Sequence, residues 1–129
     1  MTYAGNNRTH MIRIPGSGRF EFRLADGAAN PYLMMAVILA AGFHGIDEKM
    51  DPGKRLDIDM YAEGHKAPQG TKKLPLNLLD ALRLTQKSEL LRRELGGEFV
   101  DSYVKLKMRE WNDYAGHLSA WERSHTLDC

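Results

Sequence analysis

Hydrophobic and polar positions change rhythm three times along this chain. Between Asn7 and Leu24 the segments "MIRIP" and "RFEFRL" flank "GSG", which predicts a β-hairpin over about residues 8–24. Period-two alternation in the second strand sends Phe20, Phe22 and Leu24 to one face and Arg19, Glu21 and Arg23 to the other. On that reading the phenylalanines anchor the strand and the charges line up on the opposite surface. From about residue 30 to 49 the alternation disappears. Asn30 is a favourable helix cap and Pro31 a favourable first helical residue, and Tyr32 to Ile46 is apolar on every side. A helix of that kind is expected to be buried rather than half-exposed.

From Asp51 to Lys73 the chain is rich in proline, glycine and charge, without sustained periodicity. So long a structureless segment is unusual in a compact domain, which predicts a disordered linker or a loop lying on surface that this chain does not contain. Helical spacing then returns over about residues 76–123. Leu78 and Leu82 share a face, and Gly96-Gly97 stops the helix of "SELLRREL". Val100, Val104, Met108 and Trp111 form a stripe, with Lys105, Lys107 and Arg109 pointing elsewhere, and ordinary helix packing is the reading of that stripe. The fold class predicted is α+β, an N-terminal hairpin followed by a mostly helical region.

Composition narrows the function classes. With 129 residues, 43% of them hydrophobic, the chain can build one modest core. A net charge of +1 gives no whole-molecule field for nucleic acid, so any electrostatic function comes from local placement. The single cysteine, Cys129, rules out an internal disulfide framework. The first ten residues lack the apolar stretch of a signal peptide, and the run from Tyr32 to Phe43 falls short of the ~20 residues that span a bilayer. A soluble, cytoplasmic protein with no nucleic-acid or membrane partner is expected.

Arg19, Glu21 and Arg23 admit two readings. One is a solvated sheet face whose exposed ion pairs contribute about 0–1 kcal/mol each. The other is a fragment of a nucleotide–metal site. Guanidinium forks hold phosphate or carboxylate oxygens in paired hydrogen bonds, and a divalent cation can claim the carboxylate between them. Glu21 alone is a poor Mg²⁺ site, and no second carboxylate stands near it in sequence. Arg8 and Arg13 precede the pair. Five residues apart, they would face opposite ways on one strand, so Arg8 must lie in a turn before it, or a bulge must intervene, if both serve one site.

"NRTHMIRIP", "RFEFRLADGAANPYL" and "ILAAGFHGI", in that order, resemble the C-terminal catalytic region of glutamine synthetase, and "YVKLKMREWNDYAGHLSAWERSHTLDC" resembles the tail of its type III branch, which includes γ-glutamylmethylamide synthetase-like ligases. The resemblance covers essentially this whole chain and about the last third of a family member. It implies an ATP-dependent ligase that phosphorylates the γ-carboxylate of glutamate and lets ammonia or a small amine displace the phosphate. By motif, Glu21 would be a ligand for Mg²⁺ or Mn²⁺. Arg23 would hold the substrate carboxylate or the transferring phosphoryl group, Arg8 would stabilise that phosphoryl group, and Arg13 and Arg19 would contact ATP phosphates. The resemblance also implies a homo-oligomer in the full-length form. The other metal ligands of the family lie upstream, so a fragment inactive by itself is expected. The alternatives are a non-catalytic piece that associates with full-length subunits, or part of a γ-glutamylmethylamide or γ-glutamylpolyamine synthetase. His10 and His44 are read as structural. Tyr61 falls near a tyrosine that some branches adenylylate, but "MYAEGHKAP" departs from their pattern and Tyr61 is read as a loop aromatic.

Overall fold

The computed structural model describes residues 2–126; Cys129 lies outside them. Its described residues form a three-stranded sheet followed by six α-helices, the expected α+β class. The chain divides into two compact units between Leu74 and Pro75.

The first unit holds β1 (Tyr3–Ala4), β2 (Ile12–Gly16) and β3 (Arg19–Phe22), hydrogen-bonded in that order. The predicted hairpin is β2–β3, turned at Ser17-Gly18, where Gly18 takes a φ of 71° that a side chain would oppose. Arg13 pairs with Glu21 and Gly16 with Arg19, so β2 spends one residue more than β3 over the same stretch. That bulge contains Pro15, which has no N–H to give the ladder. Strand β1 runs parallel to β2 and was not legible in the pattern, because two residues are too few to display a period.

The alternation correctly sorts the β3 side chains but not which face is covered. Phe20 is 66% exposed and Phe22 is exposed too, so the phenylalanines do not anchor the strand. On the charged face Glu21 is the sheltered residue, because it and Arg13 pack against each other across the strands, while Arg19 is left exposed. Helix α1 (Pro31–Asp47) begins where expected, its cap made by Asn30 Oδ1 accepting from the backbone N–H of Tyr32 at 3.0 Å and of Leu33 at 3.1 Å. Its expected burial is not found: no α1 residue is buried. Nothing in the sheet extends far enough to cover a 17-residue helix.

The segment after α1 is also better held than its composition suggests. Leu56 N–H donates to the Tyr3 carbonyl at 3.0 Å, Asn7 Nδ2 to the Ile58 carbonyl at 2.9 Å, and Met60 N–H to Thr9 Oγ1 at 3.0 Å. His10 is buried, with Nε2 2.9 Å from the same Ile58 carbonyl and Nδ1 3.0 Å from Thr2 Oγ1. The structural reading of His10 therefore stands, although it precedes β2 rather than lying in a strand. The first half of the segment thus uses the N-terminal turn as its surface. Asp59 caps a short helix, α2 (Met60–Glu63), followed by a 3₁₀ turn at Gly64–Lys66. Tyr61 is on that helix, not in a loop, and is 89% exposed.

The second unit contains α3 (Leu78–Lys87), α4 (Glu89–Leu95), α5 (Gly97–Ala115) and α6 (Ala120–Thr126). Both α3 and α4 pack on α5. Leu82 of α3 and Val100 and Val104 of α5 form the buried seam, as the helical spacing predicted. Arg92 of α4 is paired with Asp101 of α5, Nη1 donating to Oδ2 at 3.3 Å. Ser119 and Glu122 start α6 as a reciprocal cap: Ser119 Oγ accepts from Glu122 N–H at 3.2 Å, and Glu122 Oε2 accepts from Ser119 N–H at 2.7 Å. None of the described helices is long and apolar enough to cross a membrane.

Candidate functional site

Cross-strand pairing decides the geometry around Glu21. Directly opposed residues project to the same side of a sheet, so Arg13 on β2 meets Glu21 on β3, while Arg19 lies two residues before Glu21 on that same side. Arg13 Nη1 donates to Glu21 Oε2 at 2.7 Å, and Arg19 Nη2 to Glu21 Oε1 at 2.6 Å. Arg23, just past the end of β3, stands 3.9 Å from Oε2 through Nη1. Its Nε donates to the Arg8 carbonyl at 3.2 Å. Arg8 itself lies in the turn before β2, which is the placement the five-residue spacing required. Its side chain is exposed and has no hydrogen bond or ion pair among the described residues.

Three of the predicted residues, Arg13, Arg19 and Arg23, therefore converge on the fourth, Glu21, and the fifth, Arg8, joins through its backbone. Accessibility grades across the cluster. The Arg13 side chain is 13% exposed and that of Arg19 is 68% exposed. Arg13 above all, through its hydrogen bond, and Arg19 hold the Glu21 carboxyl below its usual range, against partial desolvation. Three guanidinium groups against one carboxylate leave an excess of positive charge, with the Arg19 fork the most exposed. Such a surface suits an anion with several oxygens in a chain.

The same residues do not fit a complete divalent-metal site. Both Glu21 oxygens already accept from arginines, and no group of three or more His, Cys, Asp or Glu among the described residues could hold a metal ion. Glu21 can offer at most a share of such a site.

Sequence reasoning missed Asn6. Its Oδ1 accepts from Arg13 Nε at 2.9 Å and also from Arg13 Nη2. The available signal was the turn chemistry of "GNN", in which asparagine and glycine shape a tight bend.

Comparison with known proteins identifies the family. The glutamine synthetase from Rhizobium leguminosarum bv. phaseoli is 57% identical over 128 residues, covering 99% of this chain and 29% of that protein. The glutamate–methylamine ligase of Methyloversatilis universalis is 41% identical, covering 98% of this chain and 28% of that protein. A solved structure described as a GmaS/ADP complex superposes with a TM-score of 0.90 at 58% identity, over 99% of this chain and 29% of that one. The chain thus spans under a third of the length of these relatives. Residues 1–126 match the model of the family described as glutamine synthetase, catalytic domain, and the chain belongs to that family.

Proposed function

We propose that this chain carries the phosphate-binding arginine strand of an ATP-dependent carboxylate–amine ligase. The observation that carries the reading is the convergence of Arg13, Arg19 and Arg23 on Glu21. Arg13 and Arg19 hold ATP phosphates. Arg8 neutralises the phosphoryl group as it passes to the γ-carboxylate of glutamate, and Arg23 does the same or holds a substrate carboxylate. Ammonia or a small amine then attacks the γ-glutamyl phosphate carbon, the C–O bond to phosphate breaks, and the amine loses a proton as the amide forms. Phosphoryl transfer of this kind is mostly positioning and charge neutralisation, which clustered guanidinium groups supply. A structural relative at 58% identity is described as an ADP complex, which supports a nucleotide as a ligand of the full-length protein. Glu21 is assigned as one carboxylate of a Mg²⁺ or Mn²⁺ site whose other ligands lie beyond the described residues.

The isolated chain is expected to release no phosphate from ATP with glutamate and ammonia. A chimaera in which it replaces the matched 128 residues of the Rhizobium relative is expected to do so with ammonia, methylamine or both. A folded chimaera that is inert with every amine would overturn the reading, and turnover by the isolated chain would overturn the expectation of inactivity.

A second reading, association without catalysis, is favoured by α1. Tyr32, Met35, Leu39, Phe43 and Ile46 recur at helical spacing on one side of it, and all are exposed, Tyr32 at 83% and Ile46 at 71%. An apolar stripe of that length marks a contact surface. The chain is expected to co-elute with the full-length Rhizobium relative in size exclusion, and Phe43→Glu to abolish the co-elution. Separate elution of the unmodified chain would remove this reading.

A further inference from the structure

We propose that Asn6 is a positioning residue that fixes the Arg13 guanidinium for an incoming phosphate chain; this deepens the ATP reading above and rests on it. An arginine has five N–H donors in a rigid fork. In Arg13, Nε and Nη2 both donate to Asn6 Oδ1, the former at 2.9 Å, and Nη1 donates to Glu21 Oε2 at 2.7 Å. Two edges of the fork are clamped, and the remaining N–H groups keep a set direction. A cation oriented before the ligand arrives loses less freedom on binding. The two clamps differ in charge. Glu21 neutralises the guanidinium while holding it; Asn6 holds it through a neutral carbonyl and leaves its charge available.

The backbone is built to present Asn6 there. Asn7 N–H donates to the Gly5 carbonyl at 2.7 Å, closing a three-residue turn with Asn6 at its apex. Ile14 N–H donates to the same carbonyl at 3.1 Å, tying that apex to the residue after Arg13. From the other side, Gly5 N–H donates to Asp57 Oδ1 at 3.3 Å, and Arg55 Nε donates to the same oxygen at 2.8 Å. Arg55 lies so close over Gly5 that an added Cβ would stand 2.5 Å from its Nη2. Any side chain at Gly5 would push the Arg55 guanidinium aside from this position. The segment after α1 therefore holds Gly5, Gly5 places Asn6, and Asn6 orients Arg13.

The test uses the full 129-residue chain with Asn6→Ala, Asn6→Asp, Arg13→Ala and the Asn6→Ala/Arg13→Ala double variant. Two quantities are read: the Arg13 Nε–H resonance in proton–nitrogen NMR, and ATP affinity by calorimetry. Asn6→Ala is expected to lose the protected Nε–H signal and weaken ATP by about tenfold, the scale of one hydrogen bond to a charged group. Asn6→Asp keeps the signal, since an acceptor remains, but still weakens ATP because the new carboxylate cancels charge. The double variant binds ATP no more weakly than Arg13→Ala alone. An unchanged Nε–H signal in Asn6→Ala, or a further loss of affinity on adding Asn6→Ala to Arg13→Ala, would overturn the proposal. Failure of the unmodified chain to bind ATP would overturn the nucleotide reading and the ligand role of Asn6 together. An Asn6-dependent Nε–H signal in that case would locate the failure in the ligand rather than in the clamp.

Discussion

Leu82→Ala removes about 2–5 kcal/mol from the stability of the helical unit, which is most of what so small a core supplies. Leu82 is 2% exposed, and the only other buried apolar side chains described in this unit are Val100 and Val104 of α5. Helices α3 and α4 both depend on α5 for their packing, and neither is long enough to persist in water alone. Truncating the leucine leaves a cavity on the α3–α5 seam, with little neighbouring structure able to collapse into it. Urea denaturation followed by circular dichroism is expected to give a much lower midpoint with part of the helical signal lost before denaturant is added. The control is Leu84→Ala on the same helix, where the side chain is 62% exposed and the change should stay within about 0.5 kcal/mol. Equal effects at the two positions would mean that the seam is not the core.

The helical unit was the most legible part of the sequence because its elements carry their own signals. Asn77 and Ser88 accept N–H groups at the starts of α3 and α4, and the Val100–Val104 stripe faces its partners as the spacing required. The first unit was read less well, for two physical reasons. Periodicity states which side chains share a face but not which face finds cover. On β3 the cover comes from Arg13 across the strand and reaches only Glu21, so Arg19 on one face and Phe20 on the other are both left open. Likewise, an all-apolar helix states what α1 needs, not where the covering surface is. The segment after α1 failed in the opposite direction. Its order comes from backbone groups and polar side chains forty or more residues away, Asn7 and His10 among them, and no local pattern encodes such partners. At the candidate site, residue type and alternation put Arg19, Glu21 and Arg23 on one face, whereas Arg8 and Arg13 were brought to it only by the family resemblance. Asn6 escaped because its role depends on a turn and on one arginine, neither of which leaves a periodic trace.

Glu21→Ala in the chimaera is expected to lower ligase turnover by more than about a hundredfold, the scale seen when one preorganised charge-stabilising group is removed. The carboxylate joins the two strands of the site, with Arg13 on one oxygen and Arg19 on the other. Without it, Arg13, Arg19 and Arg23 face one another with no anion between them and spread into solvent. A share in a metal site would be lost at the same time. Glu21→Gln separates these contributions. The amide retains one acceptor and nearly the same shape, so it keeps one arginine while supplying no charge to either arginine or metal; turnover between that of the unmodified chimaera and that of Glu21→Ala is expected. The pH response has a definite sign. The Arg13 hydrogen bond first, then Arg19, lower the Glu21 carboxyl from its ordinary range in the folded chain. A depressed native value means that the stabilisation is fully present above the unfolded carboxylate's pKa and disappears as pH falls through the lowered native one. The ion pairs should therefore persist through mildly acid solution and part only in stronger acid. Carbon NMR of the Glu21 carboxyl in the isolated chain measures this directly. A midpoint at or above that of a free glutamate would mean that the arginines do not hold it, and a Glu21→Ala chimaera with full turnover would remove Glu21 from the site.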